Sequence, residues 1–333
     1  MAASLTRALA FLCLLLATAA GAALYPQNPL QVGESIYVSY EGVYRFDEMQ
    51  EKPLWHSLAG VQTFAPVAYR DLILVGSTQG LYALRQADGS VAWHIEKRNT
   101  LFTPTLASAA FAGSVHGEMY AIDIEDGGIH WRRQFDGWIY SPAIVASRQQ
   151  LWAGGQAHAI HLLDSSNGSL LATIATSQES VFGAVDLGKA QIAFNLFDGS
   201  SVVVETGEQR HTTSLAGASQ PIGIVADGAF IYRSHSDGSL AIFRRDGLEL
   251  ETQRRLVAQN LVMHPSQPGY LLLGDQDRRL LLLELASDRI QCEFETGGQW
   301  LLPIQTQVDE ITYFQKSVQP NSIRLVQSPA TCQ

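Results

Sequence analysis

Short runs of alternating apolar and polar residues, each closed by turn residues, follow one another along almost the whole chain. Ser35 to Tyr40, Leu72 to Gly76, Ala110 to Ser114, Gln150 to Gly154, Gln191 to Asn195, Phe230 to Ser234, Tyr270 to Gly274 and Glu310 to Phe314 are rich in β-branched, aromatic and small residues. That is the composition of half-buried strands. A second series follows them after a turn: Val43 to Phe46, Leu81 to Leu84, Met119 to Ile122, Ala159 to Leu163, Ser201 to Glu205, Leu240 to Phe243, Leu280 to Leu283 and Ile323 to Val326. Asp198-Gly199 and Asp237-Gly238 between members of the two series are strong hairpin signals. A further turn, such as Asp88-Gly89, Asp126-Gly127 or Asn167-Gly168, leads to another strand, which carries Trp55, Trp93 and Trp131 in the first three units.

The units are copies. Laid over itself at an offset of 38 residues, the stretch from Val61 to Asp136 matches without a gap: Phe64 on Phe102, Pro66 on Pro104, Tyr82 on Tyr120, Asp88 on Asp126, Gly89 on Gly127, Trp93 on Trp131. A fixed register of this kind marks a repeated structural unit. Starts at Pro29, Pro66, Pro104, Pro142, Phe182, Pro221, Met263 and Pro303 recur roughly every forty residues, the spacing of a four-stranded propeller blade. The fold expected is therefore all-β, an eight-bladed β-propeller of four-stranded antiparallel blades, with seven blades as the alternative count. The eighth unit ends after its third strand. Its fourth is expected from the segment around Leu24 to Asn28 or from the tail after Ser328. Thr173, Thr212, Thr252 and Glu293 fall about where the tryptophan stood, so outer strands must dock differently in the later units.

Composition adds compartment and class. With 46% hydrophobic and 16% charged residues the chain is that of a globular protein with a large core,. A formal net charge of -10 argues against a general affinity for nucleic acid or anionic lipid,. Residues 1–22 read as an export signal: Arg7, then an apolar run from Ala8 to Ala17, then Ala20-Gly21-Ala22,. Residues 23–333 form the single propeller domain, and the expected address is the periplasm, with the extracellular space or a secretory lumen as the alternative. Loss of the signal removes Cys13 and leaves Cys292 and Cys332. In an oxidising compartment such a pair invites a disulfide; the alternative is a buried strand Cys292 with a thiol at the chain end.

The small-residue strand, the Leu-Tyr-Ala-Leu strand, the Asp-Gly turn and the Trp resemble the quinoprotein-type propeller repeat. The resemblance spans the mature chain and reaches two families. One is the dehydrogenases that hold pyrroloquinoline quinone with Ca²⁺; they carry adjacent cysteines, which this chain lacks. The other is the non-catalytic BamB-like group of the outer-membrane β-barrel assembly machinery. Those proteins are typically lipoproteins, and here Cys13 lies inside the apolar run rather than at its end. The resemblance implies a non-enzymatic periplasmic scaffold without a cofactor, whose partners are other envelope proteins. A quinone-dependent dehydrogenase or a ligand-binding sensor is the competing class.

Within the repeat, Trp55, Trp93, Trp131, Asp88, Asp126, Gly89 and Gly127 are explained as scaffold, through positive φ at the turn, Asp capping and blade packing. Function then sits in what breaks the repetition. The candidate partner contacts are Trp138, Tyr140, Trp152, Trp300 and the pair Arg244-Arg245. No catalytic or metal-ligating residue is assigned. His158 and His161 are three apart on a strand and so point to opposite faces. Asp123, Glu125 and Asp126 lack the distant Glu of a calcium loop.

Overall fold

The computed structural model describes residues 29–47, 52–206, 212–215, 219–257, 262–265, 269–274, 279–295, 300–307, 310–316, 323–329 and 331–332. Among them the strands form eight antiparallel sheets in chain order: residues 30–57, 67–95, 105–134, 143–175, 180–215, 221–255, 262–295 and 300–329. Seven have four strands or fewer. The seventh sheet has five, because the chain end, Thr331–Cys332, adds to it. Apart from that added end, each sheet is a meander in which a strand pairs with its sequence neighbours. First strands of successive sheets lie against one another, so they line the centre and the fourth strands form the rim. This is the propeller that the repeats predict. Gln150–Gly154, Ser201–Glu205 and Tyr270–Gly274 match their expected bounds.

Stacking of one sheet on the next builds the core. Tyr37 and Val43 of the first sheet meet Ile73, Val75 and Leu84 of the second. On the other side of the second sheet, Leu74, Ala83 and Trp93 meet Ala112, Tyr120 and Ile122 of the third. The same apolar layer recurs to the seventh sheet, with Leu240 and Leu281 in its last instance. Ile36, Val38, Tyr44 and Phe46, on the opposite face of the first sheet, are buried too, as ring closure requires. Where burial is described the sheets are covered on both faces, so second and third strands such as Leu72–Ser77 and Gln191–Leu196 are buried along their length and do not show the one-sided alternation of an open sheet,.

The tryptophans clamp each unit to the next. The indole N–H of Trp93 donates to the Ile124 carbonyl at 3.0 Å, that of Trp55 to Gln86 at 3.0 Å and that of Trp131 to Ser165 at 3.0 Å. Each ring covers the turn glycine of the following sheet, and a Cβ on Gly127 would come within 2.9 Å of Trp93. Gly127 also has φ +79. Replacing it with Ala is expected to cost about 2 kcal/mol, from a left-handed φ and a displaced indole together. Gly33→Ala, at φ +59 with open space around the new methyl, should show the backbone cost alone, about 1 kcal/mol. Urea midpoints of the two variants separate the terms; equal losses would remove the docking contribution.

The later sheets substitute arginine and cysteine. A register shift in the outer pair fixes the position of the tryptophan, opposite Ala83 and Ala121 in the second and third sheets. The same shift places Ala172, Thr252 and Cys292 there in the fourth, sixth and seventh. Thr252 is where the sequence put it, whereas Thr173 and Glu293 each stand one residue beyond that position. Cross-blade ties come instead from Arg254 to Asp288 at 2.7 Å, between the sixth and seventh sheets. Arg245 likewise reaches from the sixth sheet back to the fifth.

Closure departs from one of the two expectations. The tail after Ser328 does not complete the eighth sheet, in which three strands are described; Thr331–Cys332 crosses to the outer edge of the seventh. The register sets Cys332 directly opposite Cys292, and Cys292 is disulfide-bonded. The edge strand Arg289–Glu295 offers unpaired backbone groups, and this ladder fixes the tail there,. Leu24 to Asn28, and the export signal, lie outside the described residues.

Candidate interaction surfaces

Two rims of turns cap the ring. One carries the turns between second and third strands and the links between sheets; the other carries the remaining turns. On the first rim Phe64, Phe102 and Tyr140, equivalent residues spaced by 38, stack in sequence with ring centroids 5.4 and 5.1 Å apart. All three are buried. Trp138 stands edge-on to Tyr140 at 6.3 Å and is half-buried at the mouth. Its backbone N–H lies 3.4 Å from Oε1 of Gln156, in the next turn.

That turn continues to His158, whose Nε2 is 3.9 Å from Glu179. Glu179 in turn accepts a backbone bond from Phe197 at 3.1 Å. Phe197 opens the Asp198-Gly199 turn and is 45% exposed, although its neighbour Leu196 is buried. Trp138, His158, Glu179 and Phe197 thus lie on neighbouring links and turns of the fourth and fifth sheets, joined by this series of bonds. Asp198 rigidifies it by accepting from Ser177 at 2.7 Å and from Ser200 at 2.6 Å. These hydroxyl and amide bonds outweigh the opposing effect of burial and hold the Asp198 carboxyl below its ordinary range,. The patch therefore presents apolar rings on a fixed, ionised frame, the chemistry of a protein contact.

The remaining sequence candidates are distributed differently. Trp152 is fully buried between the fourth and fifth sheets, and Tyr140 is covered by the aromatic row. Arg245 is buried: its guanidinium donates to Gln191 and to the carbonyls of Leu187, Gly188 and Asp227. All three are buried: Trp152 because its second strand is covered on both faces, Tyr140 by its aromatic neighbours, and Arg245 because its guanidinium is held by three backbone carbonyls. Arg244 is exposed but forms a two-pronged ion pair with Glu251. Trp300 opens the eighth sheet, and its side chain lies outside what is described. Of the five whose side chains are described, Trp138 and Arg244 reach the surface. Phe197 was missed; its signal is a large aromatic immediately before an Asp-Gly turn, where no strand position calls for one.

No cluster of three or more metal-ligating side chains exists among the described residues. His158 and His161 diverge, but not through strand alternation: His158 lies in the turn before the strand Ala159–Asp164, at φ 52, whereas His161 is buried in that strand and stacks on Phe135 at 4.4 Å. Burial lowers the His161 pKa, with Arg133 adding to the effect. Asp123 spends its carboxylate on the amides of Glu125 and Asp126.

A sequence model of the family described as outer membrane protein assembly factor BamB matches residues 39–253. The chain belongs to this BamB family. Its fold agrees: BamB from Moraxella catarrhalis superposes with a TM-score of 0.71 at 15% identity, covering 90% of this chain and 93% of that one. A computationally designed protein, Ika8, reaches 0.72 at 10% identity over 92% and 96%. Identities this low carry the architecture alone. No curated protein sequence matches the chain significantly. The BamB-family match ends within the sixth sheet, so the arginine-tied and disulfide-bearing seventh sheet lies beyond the matched repeats.

Proposed function

We propose that this chain is a non-enzymatic interaction scaffold of the bacterial envelope, exported to the periplasm by residues 1–22 and serving outer-membrane protein assembly. The observation that carries the reading is the fixed aromatic patch of Trp138 and Phe197 on the turn rim of a BamB-family propeller. A rigid ring pays little conformational entropy to present such side chains, so modest apolar contacts suffice for binding. Scaffold chemistry asks only for complementary surfaces, and the family is described by an assembly factor.

The test is crosslinking in envelope extracts followed by purification of the tagged full chain. Co-recovery of outer-membrane assembly proteins is expected. The double variant Trp138→Ala, Phe197→Ser should reduce that recovery at least tenfold, since two anchor rings are worth about 1–2 kcal/mol each. Recovery only as a free monomer would overturn the reading. So would saturable, stoichiometric binding of pyrroloquinoline quinone with Ca²⁺ and dye-linked alcohol oxidation, which would establish the dehydrogenase class instead.

A further inference from the structure

The outer strands of the third, fourth and sixth sheets, Ile129–Gln134, Leu170–Ala175 and Leu250–Arg255, share one burial pattern, with their first, second, fourth and sixth residues exposed. In the third sheet those positions hold Ile129, His130, Arg132 and Gln134. In the sixth they hold Leu250, Glu251, Gln253 and Arg255. In the fourth they hold Leu170, Leu171, Thr173 and Ala175, without a charge or an amide among them. Leu170 is 40% and Leu171 52% exposed. Each of these strands ends its sheet, and charged side chains on such an edge are the usual protection against strand addition. The fourth sheet alone of the three lacks it.

The seventh sheet shows that an outer edge of this ring accepts an added strand, there on a strand that carries Arg289 and Glu293. There Thr331–Cys332 has added antiparallel to the fourth strand, and the occupant is an extended segment. We propose that the Leu170–Ala175 edge is a docking site for an extended, uncharged or basic strand of a partner protein, added antiparallel with apolar residues at every second position. An edge backbone is satisfied along its length only by another extended backbone. Leu171, Thr173 and Ala175, which alternate along one side, then set the side-chain preference. A second copy of this chain is the poorer occupant, because each copy carries a formal net charge of -10 and the two would repel,. The proposal rests on the scaffold reading above and supplies the chemistry of the partner.

The test uses the full mature chain and a defined probe, a ten-residue peptide alternating Val and Thr and flanked by lysines. Saturable binding is expected, with amide hydrogen exchange slowed at residues 170–175. Leu171→Arg with Thr173→Lys should weaken it at least tenfold, while Ile129→Lys on the third sheet should not. Both changes are at exposed positions, and an unchanged thermal midpoint verifies folding. A peptide N-methylated on alternate amides should fail to bind. Equal binding by the methylated peptide, protection elsewhere, or no saturation would overturn the proposal. Concentration-dependent dimers abolished by the same variants would also overturn it, in favour of a second copy. If envelope partners are still co-recovered with the edge variant, this proposal falls while the scaffold reading stands; if none are recovered with the wild type, the scaffold reading itself falls.

Discussion

Replacing Cys292 and Cys332 together with alanine is expected to lower stability by about 4 kcal/mol, the chain-entropy value for a closed loop of some forty residues. The loop length follows from 332 − 292 = 40. In a chain of this size the loss should appear as a fall of roughly 6 °C in thermal midpoint. The effect has a location. The whole eighth sheet, residues 300–329, lies inside the loop that a bond between these two residues closes, so release of the tail frees that sheet at its C-terminal end. Hydrogen exchange should quicken first at residues 300–329 and at the edge strand Arg289–Glu295, with the second and third sheets unchanged. Cys292 also stands at the register position of the tryptophans, and a cross-link there does for the seventh sheet what indole docking does for the second and third. An unchanged midpoint under reductant would show that the chain end contributes nothing to closure.

The parts of this fold that repeat were legible before any coordinate, and for a physical reason. Phe64, Gly89 and Trp93 recur at 102, 127 and 131 because each blade solves the same packing problem, and the register between copies fixes the strands within a residue or two. What the repeats could not reveal lies in unlike pairings. The tail joins the seventh sheet through one short ladder, and its two cysteines carry no spacing signal. Trp152 and Arg245 looked like surface residues because they break the repeat. Trp152 lies in a second strand covered on both faces, so its deviation changes the core and not the surface; Arg245, just past a third strand, is drawn inward by the carbonyls of Leu187, Gly188 and Asp227. Phe197 is the reverse case, an apolar residue outside the strand pattern, and there the turn chemistry around Asp198 was the informative context.

The network around Arg233 is the deepest departure from repetition. This side chain is fully buried between the fifth and sixth sheets. Its Nε–H donates to Nε2 of His235 at 2.9 Å, and an Nη donates to Ser201 at 3.0 Å and to the Leu215 carbonyl at 2.9 Å. The guanidinium also lies 5.0 Å from the centroid of the Phe243 ring. Desolvation lowers its pKa to about 10, which leaves it charged at neutral pH. A buried cation held this way is costly to disturb, so Arg233→Ala should destabilise by about 3–5 kcal/mol. Arg233→Met, which fills the space without a charge, should lose far less. The comparison separates the packing role from the charge.

The same network sets how the protein meets acid. Because Arg233 has only donors, His235 must accept at Nε2, and its proton therefore sits on Nδ1, 3.0 Å from Ser239 Oγ,. Ser239 in turn donates to Asp237 at 2.6 Å. A second proton on His235 would set a donor against the Arg233 donor. Burial first, and Arg233 second, push its pKa from 6.5 down to about 4, against a smaller upward pull from Asp237. A histidine whose folded pKa is depressed binds its proton more readily when unfolded, so stability falls with pH across the interval between the two values. The stability is fully present above pH 6.5 and is lost as pH drops toward 4, by about 3 kcal/mol from this residue alone. His161, His56 and His94 are shifted downward by burial as well and act in the same direction. Urea midpoints between pH 7 and pH 4 should fall steeply in the wild type. In His235→Gln, whose amide oxygen can still accept from Arg233, the slope should flatten while the midpoint at pH 4 rises relative to wild type. Parallel profiles for the two proteins would place the acid sensitivity elsewhere in the ring.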